Sequence, residues 1–180
     1  MHAAVHSLRY HVEGFAATLE LYRFSRSRPA NVKSQVAWDW QWIAIHDAAM
    51  RIWFLRDAME ILRNHRVPAC SSIAPHVNSS AMEAAVSLFD THFPEFKKMR
   101  NAVAHAPGLE LTGKGPIAAD GLYAGPQLKD GDRFELMNGG VRYSMEMTDD
   151  TLRKLSEVLL AFWSSFVPVE QAFDRLGRSE

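Results

Sequence analysis

The chain has 180 residues, 20 Lys and Arg against 21 Asp and Glu, and a formal net charge of −1. Hydrophobic residues make up 47 % and charged residues 23 %, the balance of an ordinary globular protein able to bury a core rather than a disordered chain. Near-neutral charge argues against a protein that coats nucleic acid by charge alone, because such binding rests on many Lys and Arg contacts to phosphate, but it leaves room for a local grip on one or two phosphates.

Cys70 is the only cysteine, so no internal disulfide can form and a reducing cytoplasm is the natural setting. The first residues, Met1 to His6, carry no uninterrupted apolar stretch and read as no signal peptide. No run approaches the roughly 18 apolar residues of a transmembrane helix, so no membrane partner is expected.

In chain order, Leu8, Val12, Phe15, Leu19 and Tyr22 recur at steps of three and four, which predicts a first helix from about Ala3 to Ser25. Ser27 to Asn31 breaks the pattern as a loop. Trp38, Trp42, Ile45, Ala49, Ile52, Leu55, Met59 and Leu62 form the stripe of a long second helix, about Gln35 to Asn64. Trp40 and Trp53 lie off that stripe, which predicts cover on a second face, by a neighbouring helix or by a partner subunit. Val67-Pro68 ends this helix. A loop with a short helical turn follows, and Ser79 or Ser80 is placed to cap a third helix, with Glu83 closing a capping box on Ser80. Its apolar positions are Met82, Val86, Phe89 and Phe93. Pro94 interrupts and suits the first turn of a further segment, whose face is Phe96, Met99 and Val103 and whose stop is Pro107-Gly108.

Residues 109–147 read differently. Helical periodicity vanishes, and alternation on either side of Asn138-Gly139-Gly140 predicts a β-hairpin over about Asp132 to Met147, its apolar face packed on the helices. Thr148 then caps a last helix with Asp149 and Asp150 in its first turn. Leu152, Leu155, Leu159, Phe162, Phe166 and Phe173 mark its buried side, with Pro168 placed to kink it. The chain therefore reads as one mainly α domain over 1–180, an up-down helical bundle with a loop and β-hairpin insertion at 109–147 before the last helix.

The residues that can carry chemistry are Arg100, Asn101 and His105. Asn101 and His105 are four apart and share a helix face. Arg100 is rotated about 100° from Asn101, but its long stem can bring the guanidinium to the same patch. A permanent cation with a fork of donors, an amide and a group that titrates near neutrality are what a phosphodiester site needs. The structural alternative pairs Arg100 with an acid such as Asp47 or Glu95, lets Asn101 satisfy a loop, and sets His105 on helix-end carbonyls.

Arg, a polar residue, three further residues and His is the HEPN motif, and Arg100-Asn101-x-x-x-His105 resembles it, as does a long helix before the motif and another after an insertion. The resemblance implies a HEPN fold and a metal-independent endoribonuclease in which the ribose 2′-OH attacks the adjacent phosphate. His105 then serves as acid or base, Arg100 stabilises phosphoryl charge, and Asn101 assists. It implies an RNA substrate, a homodimer with both motifs facing one cleft, and a toxin or defence role with an antitoxin or regulatory partner. It equally admits a non-catalytic HEPN module that binds a nucleotide or a protein, and beside both stands a plain helical scaffold.

Other candidates are weaker. His2, His6 and His11 lack a His-Glu-x-x-His pattern, and no metal or cofactor is expected. His46 and Asp47 sit on the long helix, where either can support His105 or simply be solvated. Cys70 has no catalytic partner in sequence. Gly113-Lys114-Gly115 and Gly139-Gly140 match no phosphate loop. The five tryptophans read as core.

Overall fold

A computed structural model describes residues 2–28, 30–101, 103, 127–129, 132–138 and 141–177. The protein is mainly helical, in the order α1 (His2–Arg26), α2 (Ser34–Ile61), α3 (Ser79–His92), a helical segment α4 at 96–101 and 103, strands β1 (Gln127–Lys129), β2 (Arg133–Asn138) and β3 (Val141–Glu146), then α5 (Asp149–Ser164) and α6 (Val167–Gly177). It divides into two compact units. One comprises Met1–Val12, Phe54–Pro94 and Arg153–Glu180; the other comprises Glu13–Trp53 and Glu95–Leu152.

In the first unit Leu8 of α1, Leu55 and Met59 of α2, Met82 and Phe89 of α3, and Leu155, Val158 and Phe162 of α5 are buried. Each such side chain contributes about 1.5–3 kcal/mol when fully withdrawn from water. The α2 ladder widens at its end into a π-turn, Leu62–Arg66, closed by Val67 N donating to Leu62 O at 2.9 Å. Pro68 follows and can offer no donor to prolong it. The short turn expected after it is the 3-10 segment Ala74–His76. The cap of α3 is Asn78, not Ser79 or Ser80: its side chain accepts from Ala81 N at 3.0 Å. Asn is as good a cap as Ser, and the apolar stripe alone cannot choose among three adjacent capping residues. Phe93 lies just past α3, half-buried, with its ring 5.0 Å from that of Phe89.

The expected last helix is two helices. The break falls at Ser165 and Phe166, and Pro168 sits in the first turn of α6, where its missing N–H costs nothing. Ser164 and Ser165 bond back to Ala161 O and Phe162 O at 2.7 and 2.6 Å, competing with the ladder. Phe173, expected on the buried side, is exposed, because the break resets the phase of the stripe.

In the second unit Phe15, Leu19 and Tyr22 of α1 and Ile45, Ala48 and Ile52 of α2 are buried. The hairpin is present: β2 and β3 pair antiparallel from Arg133↔Glu146 to Asn138↔Val141. A third strand not anticipated from sequence, β1, adds to β2 with Leu128↔Phe134 in register. Three residues are too few to show alternation. Phe134, Tyr143, Met145 and Met147 are buried, and Phe134 meets Trp42 edge-on at 5.6 Å, so the apolar face of the hairpin packs on α2. Asp132 closes the sheet: its carbonyl accepts from Met147 N at 2.9 Å, while its carboxylate pairs with Arg26. Thr148 Oγ1 accepts from Thr151 N at 3.3 Å, the expected cap of α5. Trp38 departs from expectation: it is 45 % exposed at the start of the α2 stripe. Gly139-Gly140 and Pro107-Gly108 lie outside the described residues.

Candidate functional site around Arg100 and Asn101

α4 has two adjacent faces. Met99 and Val103, four apart, are buried. Phe96 and Arg100, also four apart, turn to α2 and meet the same side chain, Trp53. The Phe96 ring lies 5.8 Å from the Trp53 ring at 35°, and the Arg100 guanidinium carbon sits 4.6 Å from the Trp53 ring centroid. That is within the range in which a cation is attracted by an indole face. Trp53 is thus the off-stripe aromatic whose cover was expected from a neighbouring helix or a partner, and α4 of the same unit supplies that cover.

Arg100 is half-buried and Asn101 exposed. Arg100 Nη1 donates to Asn101 Oδ1 at 2.7 Å, so the cation and the amide of the motif are joined. Arg100 Nε is buried, with no hydrogen-bond partner among the described residues. Among the described residues no carboxylate pairs with Arg100, and both acids that the structural alternative offered it are engaged elsewhere. Glu95 meets Lys98 at 3.6 Å. Asp47 accepts from Thr18 Oγ1 at 2.6 Å and from Arg51 Nε at 3.1 Å. His105 lies outside the described residues.

His46 and Asp47, the α2 residues read as able to support His105, have the following partners among the described residues. Asp47 ties α1 to α2 through Thr18, whose hydroxyl also donates to Gly14 O at 2.8 Å. A Cβ at Gly14 would stand 2.7 Å from the Arg51 guanidinium, so glycine makes room for this network. His46 lies edge-on to Trp42 at 6.2 Å, and burial pushes its pKa below the ordinary value, favouring the neutral ring. Lys97 adds positive charge, its Nζ 5.9 Å from the Phe96 ring centroid.

Among the described residues, no three His, Cys, Asp or Glu side chains are grouped to hold a metal ion. No helix among them is long and apolar enough to cross a membrane. No protein-family model, curated protein or solved structure matches the chain.

The sequence singled out Arg100 and Asn101 but not the contact between Arg100 and Trp53. The signal was there in part, as a large aromatic on the wrong face of α2. No linear pattern pairs position 53 with position 100.

Proposed function

We propose that the protein is a HEPN-type endoribonuclease that needs no metal, with Arg100, Asn101 and His105 as its working residues. The observation that carries this reading is the guanidinium of Arg100, bonded to Asn101 and opposed by no carboxylate among the described residues. A cation left with its full charge suits an anionic ligand, and its fork of donors matches phosphate oxygens.

In the proposed reaction the ribose 2′-OH attacks the adjacent phosphorus. The P–O5′ bond breaks, leaving a 2′,3′-cyclic phosphate on one fragment and a 5′-OH on the other. His105 takes the 2′-OH proton or protonates the leaving 5′-oxygen, while Arg100 offsets the charge that grows on the non-bridging oxygens. One His cannot act as base and acid at once, so a homodimer with two motifs about one phosphate belongs to the same reading. A toxin or defence role, with an antitoxin or regulatory partner, is its biological counterpart.

Cleavage of single-stranded RNA in the presence of a chelator, with analysis of product ends, tests this function. Continued cleavage giving cyclic phosphate, lost in Arg100→Ala and His105→Ala, is the expected result. Cleavage abolished by chelation and restored by Mg²⁺ contradicts it.

One observation favours a second reading, a non-catalytic HEPN module or a helical scaffold: the stacking of Arg100 on Trp53 is itself a packing contact. On that reading Arg100→Ala lowers the melting temperature and changes no RNA-dependent signal.

A further inference from the structure

We infer that Trp53 is the positioning residue of the site: its indole face holds the Arg100 guanidinium in place, with no carboxylate among the described residues cancelling its charge, for a phosphodiester of RNA. The inference deepens the proposed function and rests on it for the role of Arg100.

An arginine that receives a ligand must be held without being neutralised. Its stem is long and has many rotamers, so an unsupported guanidinium must be ordered when the ligand binds, and that ordering weakens binding. Proteins commonly fix such a side chain with a carboxylate. A carboxylate also neutralises the cation and occupies the donors that phosphate would use. An aromatic face does neither. It attracts the cation through its quadrupole and leaves the N–H edge of the guanidinium plane open to acceptors.

The geometry around Arg100 is of this second kind. The guanidinium carbon is 4.6 Å from the Trp53 ring centroid. Phe96, one turn earlier on the same helix, packs on that ring at 5.8 Å and so fixes the platform. Asn101 Oδ1 takes one N–H of the fork, from Nη1, and sets the rotation of the plane. The acids Asp47 and Glu95 are held by Arg51, Thr18 and Lys98. Trp53 acts through its contact with the guanidinium, so its part is to position.

The experiment uses the full chain and a short fluorescein-labelled 2′-O-methyl RNA, which cannot be cleaved because the attacking hydroxyl is blocked. Affinity is read by fluorescence polarisation over a range of salt. Trp53→Phe and Trp53→Leu both shorten the side chain, but only the first keeps a π face, so comparing them separates the ring from mere bulk. The expected result is near wild-type affinity for Trp53→Phe and on the order of tenfold weaker binding for Trp53→Leu. The slope of log K against log salt should also flatten in Trp53→Leu by about 0.7, the contribution of one phosphate contact on a single strand, as it should in Arg100→Ala.

Equal loss in the Phe and Leu variants overturns the inference, as does loss in neither. If both variants fail to fold, fluorinated tryptophan at position 53 keeps the shape and weakens only the quadrupole. Affinity falling stepwise with fluorine number then supports the inference, and a flat series overturns it. Binding lost in Arg100→Ala but untouched at position 53 removes the inference alone. A wild type that does not bind, or Arg100→Ala binding as wild type does, removes the proposed function and the inference with it.

Discussion

Arg56 and Arg100 are the same side chain in two units, each with its guanidinium near an aromatic ring, and they are held in opposite ways. Arg56 lies 5.9 Å from the Phe89 centroid and is almost fully buried. Each nitrogen of its fork donates to a carboxylate: Nε and Nη2 to Asp90 at 2.9 and 3.1 Å, and Nη1 to Glu60. Glu60 in turn holds Arg63 at 2.7 Å, which reaches Glu83 at the same distance. This network links α2 to α3 and sets two carboxylates against the Arg56 charge. Arg100 has a closer ring, one amide and no acid among the described residues. The partner, more than the residue type, therefore separates an arginine that staples helices from one that the proposed function assigns to an anion.

Four perturbations probe this contrast. The largest effect is expected at Arg100. Arg100→Ala should lower RNA cleavage by about 10²–10³-fold, the usual cost of losing one hydrogen-bond donor to a transition state, while moving the urea midpoint little. Arg56→Ala should do the reverse. Removing a buried, bidentate arginine should cost on the order of 2 kcal/mol, below the value for a wholly buried pair because Asp90 is half exposed. Denaturant unfolding checks the stability, and cleavage per folded molecule should be unchanged.

Gly14→Ala comes next. Its new Cβ would press on the Arg51 guanidinium and disturb the Asp47 pair, but that guanidinium is the end of a flexible chain. A loss of about 1 kcal/mol in unfolding free energy is expected, against a small gain had the position been open.

The smallest effect is on acid stability. Burial alone would raise the Glu60 carboxyl, but its hydrogen bond with Arg56, the charges of Arg56 and Arg63, and Asn64 outweigh this and leave it below the ordinary value. Burial likewise holds His46 below its ordinary value. For both groups the unfolded chain takes up protons first, so stability is complete above the unfolded pKa and is lost as pH falls through the folded one. The His46 loss should begin below about 6.5 and the Glu60 loss below about 4.3. Denaturant midpoints against pH should show both, and His46→Gln should remove only the first.

Much of this arrangement was legible in the sequence where one face decides an element. The α1 stripe from Leu8 to Tyr22 is buried throughout, and alternation through Phe134, Tyr143 and Met145 marked the hairpin. Ends were less legible because several neighbouring residues can satisfy the same backbone groups. Asn78 capped α3 ahead of Ser79 and Ser80, and two serines with Pro168 broke a helix that a single periodic stripe would continue. Arg100 and Asn101 stood out as a motif, but the platform beneath them did not. Trp53 is distant in sequence, and only the packing of α4 on α2 brings its face to the guanidinium.

The most direct test of the contrast between the two arginines is single-turnover cleavage of one single-stranded RNA by wild type, Arg100→Ala and Arg56→Ala. The three are compared in chelator, at a temperature where all are folded. Similar rates are predicted for wild type and Arg56→Ala, and a rate about 10²–10³-fold lower for Arg100→Ala. No cleavage by the wild type, or equal rates for the two arginine variants, would contradict the assignment of Arg100 to the RNA phosphate.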